Sequence, residues 1–343
     1  MSNKPGISEL GEFGLIRHLT GDLKMIHPET ELGVGDDTAV CNYGQSKVLI
    51  TTDLLTEGVH FDLIYTPMKH LGYKAVTVNL SDIYAMNGIP KQITVAVAIS
   101  SKFTLEMMDD LYAGIRLACE KYGVDLIGGD TSSSLTGMTI SITAIGVANE
   151  TDLTFRNGAR ENDLICVTGD LGAAYMGLLL LEREKRVLNN NQVVQPDFAG
   201  YEYLLERFLK PEPRREVIDI LKDKGIKPTS MIDISDGLSS EILHLCQQSG
   251  TGARIYEERL PIDIITAKLA EEMNIIPITA AMNGGEDYEL LFTIHPSDYE
   301  KIKSEEMISV IGHMTASTAG YYLITNGDSA VELKAQGWNP LKN

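Results

Sequence analysis

Tryptophan occurs once in 343 residues, and cysteine only four times, at Cys41, Cys119, Cys166 and Cys246. No two cysteines form a Cys-x-x-Cys pair, which argues against structural zinc and for four reduced thiols, most of them in the core. Cations are also scarce: 29 Lys and Arg stand against 48 Asp and Glu, a net charge of −19. So acidic a chain repels a phosphate backbone, and nucleic acid is not an expected partner. Long apolar runs are missing. The longest nearly apolar stretch, Ala173 to Leu181, falls far short of the ~20 residues needed to cross a bilayer, and no membrane partner is expected. The first residues, Met1 to Phe13, show no apolar signal-peptide core, so the chain reads as cytoplasmic. The familiar nucleotide signatures are absent. There is no Gly-x4-Gly-Lys-Ser/Thr, no third glycine after Gly33-Val34-Gly35-Asp36, no protein-kinase signature and no His-Glu-x-x-His.

What is present is an ordinary globular composition, 43% hydrophobic and 22% charged, long enough for two domains. Leu10, Phe13 and Ile16 form a helical stripe. Val48 to Ile50 reads as a strand entering Thr51-Thr52-Asp53, and Leu71 to Met86 as a helix apolar on most sides. Ile93 to Ile99 is a continuous apolar run suited to a buried strand. Thr104 caps a helix that Gly123 ends. Val124 to Ile127 is a strand followed by Gly128-Gly129-Asp130, and residues 138–147 alternate as a half-exposed antiparallel strand does. A second unit begins near residue 150, dividing the chain into residues 1–150 and 151–343. It opens with a strand over Leu164 to Thr168 and a glycine-opened helix from Gly169. Residues 184–200 are polar and read as a long loop. Further strands are expected at 230–234, 253–256, 288–294, 309–312 and 321–324. The pattern is two α/β or α+β domains.

Carboxylates gather where strands end: Asp36-Asp37, Asp53, Asp130, Asp233 and Asp236. An Asp after a strand is more often a turn residue or helix cap than a ligand, but five such places, flanked by Ser and Thr, shift that balance. Asp82 is the most telling. It shares a helix face with Leu71, Ala75 and Val78, and a buried carboxylate needs a partner. A hydroxyl or Lys74 would serve; a metal ion would serve better in so acidic a neighbourhood. Oxygen-only donors select hard cations such as Mg2+, which also bind phosphates. Such ions let an acidic pocket hold a polyphosphate and neutralise charge during phosphoryl transfer. Gly169-Asp170-Leu171-Gly172 either cradles a phosphate or simply starts a helix. By spacing alone His60 reads as an ordinary surface or core histidine.

Six segments, in order and covering nearly the whole chain, resemble the thiamine-monophosphate kinase family: Gly35-Asp36-Asp37-Thr38-Ala39-Val40; Thr51-Thr52-Asp53-Leu54-Leu55 with Glu57-Gly58-Val59-His60-Phe61; Lys74-Ala75 through Asn79-Leu80-Ser81-Asp82; Leu126 through Thr131; Ile232 through Leu238; and Gly284-Gly285-Glu286-Asp287-Tyr288-Glu289-Leu290. The wider superfamily includes aminoimidazole ribonucleotide synthetase and selenophosphate synthetase. The resemblance implies a two-domain fold of that superfamily. Its N-terminal domains would pair into a dimeric β-barrel, with a C-terminal α/β sandwich on each flank. It further implies direct transfer of the γ-phosphoryl of ATP to thiamine monophosphate, the last step in making thiamine diphosphate, without a phosphoenzyme. Carried over residue by residue, Mg2+ ligands fall on Asp37, Thr51, Thr52, Asp53, Asp82, Asp130, Asp233 and Asp236. ATP contacts fall on Tyr112, Gly129, Arg156 and Ser235. Contacts to the thiamine phosphate fall on His60, Glu286 and Trp338. A sister enzyme that activates another oxygen nucleophile and a non-catalytic Mg-nucleotide sensor are the competing readings.

Overall fold

The computed structural model describes residues 14, 20, 26–44, 46–190 and 198–335. The expected helix on Leu10, Phe13 and Ile16, and Trp338, lie outside them. The first half begins with strands β1 (Thr30–Leu32), β2 (Ala39–Asn42) and β3 (Lys47–Thr56), then helix α1 (Met68–Ala85). Strand β4 (Ile89–Ile99), helix α2 (Leu105–Tyr122), and strands β5 (Asp125–Ser133) and β6 (Thr139–Ala148) follow. Their sheet runs in the order β1-β2-β3-β6-β4-β5. All neighbours are antiparallel except β4 and β5. Strand β6 alternates half-buried and buried along its whole length, so one face lies under helices and the other stays open. Strand β5 does not stop at the glycines as expected. It continues through Gly128-Gly129-Asp130 to Ser133 and is exposed throughout, at the sheet edge.

Helix α1 is buried on nearly every side, as its all-round apolar sequence requires. It packs on α2, whose N-cap Thr104 accepts a hydrogen bond from the Met107 N–H (3.3 Å) and whose end is the left-handed Gly123. Two glycines set the distance between these helices. A Cβ on Gly72 would lie 2.0 Å from the Leu111 carbonyl oxygen, and one on Gly114 would lie 1.9 Å from that of Lys69.

The second half comprises β7 (Leu164–Thr168), α3 (Ala173–Asn190), α4 (Glu202–Leu209), α5 (Arg215–Asp223), β8 (Ser230–Asp233) and α6 (Leu238–Ser249). After these come β9 (Thr251–Tyr256), α7 (Ile264–Glu272), α8 (Pro277–Asn283), β10 (Leu290–Ile294), α9 (Tyr299–Ile302), β11 (Ile308–Ala316), β12 (Tyr321–Ile324) and β13 (Ala330–Glu332). The sheet order is β13-β12-β9-β11-β7-β10-β8. The loop expected from residue 184 is therefore corrected: α3 continues through Asn190, and residues 191–197 are outside those described. The two sheets are not independent. One apolar cluster runs from Leu49 and Ile140 of the first, through Leu80 of α1, to Cys166, Met231 and Phe292 of the second. The cleft between the sheets is thus held by a shared core. Among the described residues no helix is long and apolar enough to cross a membrane.

Gly114→Ala forces α1 and α2 apart and is expected to destabilise the fold by about 1–3 kcal/mol, the usual range for overpacking. Urea denaturation reads this as a lower midpoint, and an unchanged midpoint would refute the close-packing argument.

Candidate functional site

Three carboxylates that are far apart in sequence meet in the cleft. Asp37 comes from the turn before β2, Asp82 from the last turn of α1 and Asp233 from the end of β8. One oxygen from each lies within 4.8 Å of the others. The first-half sheet provides further polar groups. The Thr51 hydroxyl donates to Asp82 Oδ2 (2.6 Å), and the Asp53 backbone N–H donates to Asn79 Oδ1 (3.0 Å). Ser81, next to Asp82 on α1, donates to Asp233 Oδ2 (2.6 Å) and so ties the first half of the chain to the second.

The electrostatics are those of crowded acids. Burial, and then the charges of Asp53, Asp233 and Asp37, push the Asp82 carboxyl well above its ordinary range. Burial, and then Asp37, raise Asp233 to about 8. Burial and Asp37 likewise raise Asp36 to about 7. Arg156 answers them: it donates to Asp37 through Nε (3.0 Å) and a terminal nitrogen (2.7 Å), and its backbone N–H donates to Asp36 (3.0 Å). Carboxylates that cannot all ionise comfortably, with hydroxyl oxygens beside them and no sulfur or imidazole among them, fit a hard divalent cation. Asp236 lies three residues beyond Asp233, in the bend before α6, its N–H donating to the buried Glu241 (3.0 Å).

Not every expected ligand faces this cluster. Alternation along β3 places Thr51 and Asp53 on the covered face and turns Thr52 to the open one, where its hydroxyl donates to the Ile142 carbonyl (3.0 Å). The pairing of Leu54 with Ser141, Ser141 with Ala96 and Ala96 with Asp130 sets Asp130 on that same open face. Strand β5 stands three positions from β3, roughly 14 Å across the sheet by ordinary strand spacing. Gly129 is beside Asp130, against the Val95 backbone, and Tyr112 is half-buried on α2. Within one chain, then, Gly129, Asp130 and Tyr112 are not gathered with the three aspartates.

Next to the cluster lies a cavity of about 460 Å³, lined in part by His60, Tyr65, Tyr175, Phe208, Asp236 and Glu286. Ser235 also lines it. The Ser235 carbonyl accepts the Glu286 N–H (2.7 Å). His60 Nδ1 accepts the Thr56 N–H (3.0 Å). Burial lowers the His60 pKa, with Lys74 adding to this and Glu286 opposing it, so the ring is neutral at pH 7. The buried Lys74 ammonium pairs with Glu286 Oε2, donates to the Phe208 carbonyl (3.1 Å) and sits 4.1 Å from the centre of the Phe208 ring. Sequence reading considered Lys74 only as a partner for Asp82. The signal for more was a lone cation on an apolar helix. Phe208, Tyr65 and Tyr175 were missed, since nothing in their local sequence separates them from core aromatics.

The Gly169–Gly172 turn resolves toward a helix start. The Gly172 N–H at the head of α3 donates to Asp287 Oδ2 (2.9 Å), so an internal carboxylate occupies the place a phosphate would take. The four cysteines are free: Cys41 is half-buried and the others are buried.

Residues 35–148 match the family AIR synthase related protein, N-terminal domain, and residues 160–323 match its C-terminal domain. The chain is 33% identical over 340 residues to the thiamine-monophosphate kinase of Bacillus subtilis, covering 97% of this chain and 100% of that protein. It is 37% identical over 293 residues to the thiamine-monophosphate kinase of Aquifex aeolicus, covering 85% and 88%. The solved structure of AaThiL complexed with AMPPCP and TMP superposes with a TM-score of 0.83 at 32% identity, covering 98% of this chain and 99% of that one.

If the three aspartates hold a divalent ion, Mg2+ should raise the thermal midpoint of the chelator-treated protein, by about 2.7 kcal/mol of stability at a hundredfold excess over the dissociation constant. Asp82→Asn should abolish that shift and leave the metal-free midpoint equal or higher, because a repelling charge is gone. A metal-free midpoint that falls sharply would show that Asp82 serves the fold rather than an ion.

Proposed function

The chain belongs to the thiamine-monophosphate kinase family of AIR synthase related proteins, and from that premise we infer that it phosphorylates thiamine monophosphate with ATP. The bond between the γ-phosphorus of ATP and its bridging oxygen breaks, a phosphate oxygen of thiamine monophosphate bonds to that phosphorus, and ADP leaves. The products are thiamine diphosphate and ADP. The observation that carries this reading is the pairing of an oxygen-donor cluster with an aromatic, acid-bearing cavity beside it. The cluster suits two anionic reactants; the cavity suits a cationic thiazolium.

Asp37, Asp82 and Asp233 would hold Mg2+, with Asp53, Thr51 and Asp236 beside them and Thr52 and Asp130 on the open face of the sheet. Bound there, the metal would screen the repulsion between two phosphates and offset charge on the transferring group. Arg156, already fixed by Asp36 and Asp37, supplies a rigid cation for the nucleotide's phosphates, with Ser235, Gly129 and Tyr112 as further nucleotide contacts. Glu286 faces the thiazolium, and the Tyr175 ring, which lines the same cavity, adds cation–π attraction. His60, neutral at pH 7, orients the substrate without repelling its positive charge.

We also propose a cytoplasmic homodimer, with the chain divided near residue 150. Strand β5 leaves a full row of backbone groups at the edge of the first sheet, and Leu54, Ile127 and Leu135 are exposed close by or on the same face. An edge so long and uncovered calls for pairing. Pairing of two such sheets into a barrel would cover the open face that bears Thr52 and Asp130.

Incubating the purified chain with ATP, Mg2+ and thiamine monophosphate should yield thiamine diphosphate and ADP in equal amounts. A folded protein that binds ATP yet phosphorylates no acceptor would favour a nucleotide sensor instead. Glu286→Gln removes a charge-assisted contact worth about 1.5–3 kcal/mol. It should raise KM for thiamine monophosphate at least tenfold and spare KM for ATP; equal effects on both would remove Glu286 from the thiazolium.

A further inference from the structure

Glu286 and Tyr288 carry φ angles of 62° and 50°, after Gly285 at 71°. Left-handed backbone at non-glycine residues persists only where the surroundings over-determine it. The residues between and after them supply that determination. Asp287 and Glu289 are fully enclosed and do not line the cavity that Glu286 lines. Asp287 Oδ2 takes the Gly172 N–H (2.9 Å). Glu289 takes the Thr168 hydroxyl (2.5 Å), Arg214 through Nε (2.5 Å) and a terminal nitrogen, and a terminal nitrogen of Arg207 (2.7 Å). That same Arg207 nitrogen is 3.9 Å from Asp287 Oδ1. The turn at the head of α3 closes directly onto Glu289, since a Cβ on Gly169 would lie 2.3 Å from its Oε1.

We infer that Arg207 and Arg214, neither of which lines the cavity, are positioning residues for substrate: both hold Glu289, Arg207 also approaches Asp287, and together they fix the segment that carries Glu286 at the cavity and Tyr288 beside it. The inference rests on the kinase reading of the cavity. Two observations carry it. First, left-handed and anchored residues alternate: Glu286, which lines the cavity, is followed by enclosed Asp287, and the buried Tyr288, whose hydroxyl donates to Glu286 Oε1 (3.5 Å), is followed by enclosed Glu289. Secondly, Arg207 is adjacent to Phe208 on α4. Phe208 lines the cavity, and its carbonyl holds Lys74, the partner of Glu286. One turn of helix thereby grips the segment from both sides. Buried ion pairs seldom stabilise a fold better than apolar packing does; what a satisfied pair adds is a single geometry. The forked guanidinium on Glu289 is the group best suited to impose one.

Steady-state kinetics on the full chain, with thermal midpoints measured alongside, test this. Arg214→Met and Glu289→Gln should each raise KM for thiamine monophosphate tenfold or more and keep KM for ATP within twofold. Arg214→Lys, which retains the charge and loses the fork, should fall between these variants and the parent. Should the folded variants show both KM values unchanged, with only a lower midpoint and less active protein, the arginines serve the fold alone and the inference is overturned. Where Arg214→Met does not fold, the two milder variants decide. Failure of all three to fold likewise assigns the cluster to structure. The parent enzyme is the control: if it does not turn over thiamine monophosphate, the kinase reading fails, which is distinguishable from normal parent turnover with unaltered variants.

Discussion

Repulsion among carboxylates is the constraint around which the cleft is organised. Asp37, Asp82 and Asp233 are brought within 4.8 Å by three separate segments, in a chain already carrying a net charge of −19. Nothing in folding favours that convergence, since each buried charge costs free energy unless compensated. The fold answers with fixed partners: Thr51 on Asp82, Ser81 on Asp233 and Arg156 on Asp37. These partners decide where the site sits. Two of the three cross between the halves of the chain, and the shared apolar core holds those halves at a constant separation. A cluster so costly in itself fits a divalent cation, and on the proposed reading that excess acidity would become useful in bringing two phosphates together.

Much of this was legible before any coordinates. The helix through Asp82 could be read because a lone carboxylate interrupts an otherwise apolar face, and burial of that helix follows from the same pattern. The half-buried alternation over 138–147 and the cap pair Thr104 and Gly123 are local signals, and local signals survive folding. Side-chain direction was not legible. Thr51, Thr52 and Asp53 look equivalent as a string, but strand parity sends Thr52 to the opposite face, and only the register with β6 reveals it. Asp130 was expected at the end of a strand because glycines usually break one. In β5 they do not, because a Cβ on Gly129 would collide with Val95 of the neighbouring strand, and glycine permits the approach. The end of α3 reads as a loop in sequence because a polar helical stretch and a loop share the same composition.

The segment from Gly284 to Leu290 shows a different limit. As sequence it is a motif; as structure it is a two-sided device. Its acids at odd and even positions do different work, Glu286 beside a cavity and Glu289 deep among two arginines. Composition cannot separate them, because both are glutamates in one run of seven residues. Only the left-handed turns at Glu286 and Tyr288, which do not appear in any propensity, reverse the chain's direction often enough to part them.

Helix α1 then connects the two chemistries. Lys74, which secures Glu286 at the cavity, and Asp82, which enters the acidic cluster, lie eight residues apart, a separation of about 12 Å along a helix axis. Both ends are pinned to the second half of the chain, one through Lys74 to Glu286 and Phe208, the other through Ser81 to Asp233. A helix buried on nearly all sides and locked against α2 by Gly72 and Gly114 cannot slide or bend to alter that distance without opening the core. On the proposed reading, a substrate with a cation at one end and a phosphate at the other would be measured against that span. Its ring would be held where aromatic faces and Glu286 favour positive charge, and its phosphate would reach the oxygen donors that suit a metal. Selectivity for such a substrate would then follow from the fixed distance between two sites of opposite electrostatic character, each of which alone would accept many ligands.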